Sequence, residues 1–170
     1  MKSYLTHALV IFTICAAMVN TAHSQTTNHL EKVPPSRINK FIDSLKIKIA
    51  RDTLKFNQLD LIGNGKDVTN VANYSKLFII NNKLSYKLDV LTAADVAFFV
   101  REFLTPSKIE EIGVLKAPYS NMAYGARGVN GVVNIQLKST AKIDPAVAQL
   151  SLSGEQDAGA SNSDKLNIRQ

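Results

Sequence analysis

The sequence predicts a small α+β domain, a mixed sheet with short helices packed on it, followed by a flexible C-terminal tail. Three observations lead there. Apolar residues recur at helical spacing in two runs, Ile38 to Ile49 and Val96 to Phe103. Leu77-Phe78-Ile79-Ile80 ahead of Asn81-Asn82 has the composition of a strand entering a tight turn. Residues 109–137 then read as strand, short helix and strand, with Pro118 opening the helix and Gly125 closing it.

The chain opens on Lys2, an apolar run from Ala8 to Val19 and the small-x-small triplet Ala22-His23-Ser24, which together predict a cleaved secretory signal over residues 1–24. The apolar run is too short to span a bilayer. Cys15 lies inside it, but Phe12-Thr13-Ile14 lacks the small residue a lipoprotein peptidase needs, which argues against a lipid anchor. Cys15 is also the only cysteine, so the mature chain is expected to have no disulfide, thiol nucleophile or cysteine metal site. Of 170 residues about 146 remain, enough for one core. The formal charge of +6 falls to +5 once Lys2 is removed, well short of a nucleic-acid-binding stripe.

After a polar leader (25–35), Ser36 is positioned to cap a helix running to about Arg51, with Pro34 and Pro35 fixing its start. Ile38, Phe41, Ile42, Leu45 and Ile49 share one face, while Arg37, Lys40, Lys48 and Arg51 form an adjacent basic stripe. That stripe is a candidate contact with an anionic surface, although a solvated face beside a buried one gives the same pattern. Thr53 to Ile62 reads as a strand ahead of a Gly63-Asn64-Gly65 turn.

Residues 76–80 form the next strand, and Asn81-Asn82-Lys83 turns it into a partner at Leu84 to Leu88, because Asn tolerates positive φ. Thr92 caps a helix over Ala93 to Phe103, with Asp95 near its positive end and Pro106 beyond its stop. A strand at Ile109 to Leu115 leads into a short helix, Pro118 to Tyr124. In the last strand, Asn130 to Leu137, Val133, Ile135 and Leu137 face one side, and Val132, Asn134 and Gln136 the other. From Ser139 the composition turns to Ser, Ala, Asp, Gln and Gly, which predicts the flexible tail (139–170).

Catalytic chemistry finds little support. Lys66 follows a Gly-Asn-Gly turn but precedes Asp67, which does not suit a phosphate loop, and the Gly125, Gly128, Gly131 series leads into a strand where a dinucleotide site needs a helix. His7 and His23 leave with the signal and His29 sits in the leader, so the core is expected to lack the commonest general base. Glu110 and Glu111 are adjacent on a strand and expected on opposite faces, not as an acid and base pair. Asp43, Asp60, Asp67, Asp89 and Asp95 form no calcium loop and read as surface charges, turns or caps. The expectation is a non-enzyme with no catalytic residue, cofactor or metal.

Residues 108–138, KIEEIGVLKAPYSNMAYGARGVNGVVNIQLK, resemble the end of the plug domain of TonB-dependent outer-membrane receptors of the Bacteroidetes type. The likeness rests on Ile109, Glu110, Ile112, Val114, Leu115 and Lys116, then Tyr124, Gly125, Arg127, Gly128, Asn130, Gly131 and Val132. Upstream, Leu77 to Lys83 is similar to that family's apolar strand and turn, with Asn81-Asn82 in place of an Asp-Gly pair. The resemblance covers residues 76–138 and implies a plug-like domain over 36–138. It also implies a Gram-negative envelope location, periplasmic or at the outer membrane.

The barrel that such plugs fill is not expected, since 32 residues follow Lys138 and each spanning strand takes about 9 to 11. The leader also lacks a convincing energy-coupling segment. The reading that follows is a non-catalytic exported plug-like protein acting by protein or ligand contact, as an accessory to outer-membrane uptake with an envelope protein as partner. The alternatives are a detached regulatory piece of an envelope signalling or sensor-peptidase system, or a truncated receptor remnant. Within the motif Gly125 is expected to end the helix with positive φ, Gly128 to turn the chain and Gly131 to admit a neighbouring strand. Arg127 is expected to pair internally with Glu110 or Glu111, with a partner surface as the alternative.

Overall fold

The structure is a computed structural model and describes residues 29–152. The expected signal (1–24), the first part of the expected leader and the expected tail beyond Leu152 lie outside the described residues. The chain divides into two units at Leu30, and the contacts below are those of the unit beginning at Glu31. A five-stranded mixed sheet organises it, in the order β1 (Leu30–Lys32), β6 (Ile109–Leu115), β7 (Val132–Leu137), β4 (Leu77–Ile80) and β5 (Leu84–Lys87). β2 (Leu61–Ile62) and β3 (Thr69–Asn70) form a separate small antiparallel pair. Among the described residues no helix is long and apolar enough to cross a membrane.

β7 is the central strand, antiparallel to β6 and parallel to β4. Its Ile135 stands opposite Ile80 on one side and Ile112 on the other, a row of β-branched side chains suited to a pleated, covered surface. Against that face pack α1 (Ile38–Thr53), through Ile38, Ile42, Leu45 and Ile49, and α2 (Ala93–Phe103), through Val96, Phe99 and Phe103. Phe99 lies 5.1 Å from both Phe78 and Tyr86 and 5.2 Å from Phe103, all inclined at edge or tilted angles. Such pairs add about 0.5–1.5 kcal/mol each beyond their burial. Leu77, Ile79 and Val132 form a smaller cluster of their own.

Several elements follow the sequence closely. Thr92 caps α2, accepting from the Asp95 backbone N–H while its hydroxyl donates to the Asp95 carboxylate at 2.7 Å. Asn81 and Asn82 both take positive φ, as the tight turn between β4 and β5 requires. The expected face of α1 is the buried one, with Phe41 at its margin.

Other expectations are corrected. Ser36 does not cap α1: it lies inside a 3-10 turn (Pro35–Arg37), which puts Arg37 at the capping position, and no side chain caps there. The strand expected over Thr53 to Ile62 shrinks to β2, since α1 continues to Thr53 and a 3-10 turn occupies Gln58–Asp60. The domain also reaches past both expected boundaries, 36 and 138. Lys32 of the leader belongs to β1, and the Val33 backbone N–H donates to Ile112 O at 2.8 Å. A short helix, α4 (Pro145–Ala148), buries Val147, and the Tyr86 hydroxyl donates to Val147 O at 3.2 Å. Ser151 and Leu152 then bond the backbone of Ser85 along the outer edge of β5.

Candidate functional site

The motif segment forms one tight unit between β6 and β7. α3 (Tyr119–Tyr124) starts just after Pro118 and stops at Gly125, whose φ of 57° with ψ of −143° lies outside the regions open to L side chains. A 3-10 turn over Gly125–Gly128 then folds back on the helix. A Cβ on Gly128 would stand 2.7 Å from the carbonyl carbon of Ser120, so here the glycine serves close approach and not only a turn. Gly131 exits at φ 89°, where a Cβ would stand 3.2 Å from Leu115 O, and returns the chain to the sheet. Gly125 thus acts as expected, while Gly128 is the closer approach and Gly131 adds a left-handed backbone to its own.

With the backbone turned inward, the side chains turn outward. Met122 is 80% exposed, Val129 44%, Tyr124 41% and Tyr119 40%, an apolar and aromatic group on one short segment. Arg127 joins them on the surface. It has no ion pair or hydrogen bond among the described residues, so the expected internal pair with Glu110 or Glu111 is not formed. Glu111 bonds Lys32 at 2.8 Å instead. Glu110 sits at a register irregularity between Ile109 and Glu111, and Ile109 and Ile112 are both buried while neither glutamate is. The bulge defeats the simple alternation expected for the two carboxylates.

Under the loop lies a polar joint, half-buried at Asn73, Lys76 and Asn130 and buried at Ser75, Lys87 and Asp89, that sequence reasoning missed. Asn130 donates to the backbone oxygen and side-chain oxygen of Asn73, and its own carbonyl accepts from Lys76 Nζ at 3.0 Å. Asn73 in turn accepts from Lys87 Nζ at 2.7 Å, and Lys87 also donates to Ser75 O at 2.8 Å. Lys87 Nζ stands 3.4 Å from Asp89 Oδ2, which accepts from the Ser75 backbone N–H, and both members of this ion pair are buried. Asp89 is therefore not a surface charge, although it does sit in a 3-10 turn, Leu88–Val90, as one of the expected alternatives had it. Burial pushes the Lys87 ammonium below its ordinary value, and the Asp89 charge opposes that shift. Lys76 is likewise lowered by burial and by the charges of Lys48 and Lys116. A cleft of about 200 Å³ opens over the joint, lined among others by Asn73, Lys87, Ala126 and Arg127.

The four residues of the basic stripe are all exposed but sit in different surroundings. Lys48 bonds Asp52 at 3.0 Å, and Arg51 is exposed. Arg37 and Lys40 instead line a second cleft, of about 330 Å³, which also includes Lys116 of the motif. Lys116 Nζ lies 2.6 Å from Glu31, whose carboxyl it holds below the usual value through a hydrogen bond and its charge.

Among the described residues no group of three His, Cys, Asp or Glu side chains is arranged to hold a metal ion. What the loop offers chemically is a closely packed, hydrogen-bonded backbone bearing tyrosine, methionine and arginine side chains, the kinds enriched at protein interfaces. Comparison of the chain with protein-family models, curated proteins and solved structures finds no match.

Proposed function

We propose that the chain is a non-catalytic, exported, plug-like protein that acts by contact with an envelope protein, as an accessory to TonB-dependent outer-membrane uptake. The partner in this reading is a separately encoded outer-membrane barrel. One observation supports it above the rest: the segment that resembles a receptor plug fixes its backbone with glycines and asparagines, yet leaves Tyr119, Met122, Tyr124, Arg127 and Val129 outside. A core-forming motif would bury the apolar and aromatic members of this group, whereas a contact loop presents them beside an arginine. Hydrogen bonds such as Asn130 to Asn73 hold the loop in one conformation before contact, which lowers the ordering cost of binding.

The test is a pull-down from Gram-negative envelope fractions with the mature chain as bait. Recovery of an outer-membrane barrel protein, lost with Met122→Ser/Arg127→Ala at unchanged thermal stability, is the expected result. Recovery of no outer-membrane or periplasmic protein would defeat the reading.

A further inference from the structure

We infer that the cleft of about 330 Å³ at the start of α1 is a second binding site, one that takes an acidic, partly apolar peptide segment of a partner protein. Four cations from three parts of the chain line it: Lys32, Arg37, Lys40 and Lys116, against the single carboxylate of Glu31. Two of the four already hold carboxylates, Lys32 with Glu111 at 2.8 Å and Lys116 with Glu31 at 2.6 Å. Arg37 and Lys40 hold none and have no ion pair among the described residues. The first turn of α1 supplies no acidic side chain and no side-chain cap, so nothing there offsets the positive helix end.

The same cleft has an apolar side, from Val33, Pro34, Phe41 and Val114. An occupant with carboxylates for Arg37 and Lys40 and an aliphatic side chain for Phe41 and Val114 satisfies both parts. A planar membrane surface fits less well. The site is concave, the stripe residues Lys48 and Arg51 lie outside it, and Lys48 is bonded to Asp52. This site uses none of the outward side chains of the glycine loop, so it stands whether or not that loop binds a barrel.

The experiment is fluorescence anisotropy with a labelled peptide of alternating Glu and Leu, titrated with the mature chain. Saturable binding that weakens with added salt is expected, and Arg37→Ala/Lys40→Ala should weaken it about tenfold. Arg51→Ala/Lys142→Ala removes the same charge elsewhere on exposed positions and should change it by less than about twofold. Thermal melts of both variants show that each is folded. Equal losses in the two variants would overturn the site in favour of diffuse charge attraction. Binding to phosphatidylglycerol vesicles without binding to the peptide, or no binding at all, would overturn it as well.

Discussion

Gly128 lies against Ser120 so closely that a Cβ would stand 2.7 Å from the Ser120 carbonyl carbon. Backbone, not a flexible side-chain tip, is what such a Cβ would strike. Gly128→Ala should therefore lower stability by at least about 2 kcal/mol. At Gly125 a Cβ meets nothing within 4 Å, so Gly125→Ala carries only the strain of a backbone at φ 57° and ψ −143°, about 1–3 kcal/mol. Urea unfolding of the two variants checks the order.

The buried pair of Lys87 and Asp89 predicts non-additive costs. Lys87→Met leaves the Asp89 carboxylate buried without its cation and should cost about 3–5 kcal/mol. Adding Asp89→Leu should recover a good part of that loss, because no charge is then left buried. A double-mutant cycle by chemical denaturation measures it, and strictly additive losses would mean that the two groups do not interact.

α4 and the strand edge beyond it predict a boundary. A chain ending after Lys138 loses Val147 from the core and the acceptor of the Tyr86 hydroxyl, so it should unfold at lower temperature than one ending after Leu152. Tyr86→Phe in the longer chain should cost about 1 kcal/mol, the worth of that hydrogen bond. Differential scanning calorimetry compares all three.

These cases mark what the sequence could convey. The Thr92 cap, the Asn81-Asn82 turn and the apolar face of α1 are local signals, and each element they predict is present. β1 holds three residues and α4 four, too few for periodicity to register, and both owe their place to contacts with distant segments. Lys87 and Asp89 read as polar surface because composition does not reveal that they neutralise each other inside. The motif was legible as a segment with structural glycines. Which of its side chains face outward was not, since that depends on how Gly128 seats the turn against α3.

Asp52 sets a pH dependence. Burial alone would raise its carboxyl, but hydrogen bonds from Lys55 at 2.8 Å and Lys48 at 3.0 Å, with their charges, hold it below its ordinary 3.8. A carboxyl lowered in the folded state contributes stability that is present above pH 3.8 and is lost as pH falls through the folded value. Asp52→Asn should thus lower stability near neutrality and flatten its decline in acid, seen in thermal melts taken from pH 6 downward.

The most direct test of the contact role is site-specific photo-crosslinking in intact Gram-negative cells, with the crosslinker at Met122 or, as control, at Leu59, which is 89% exposed and outside the motif segment. The account predicts an adduct with an outer-membrane barrel protein from position 122, abolished by Arg127→Ala, and none from position 59. Absence of any envelope adduct at position 122, or the same adducts from both positions, would contradict it.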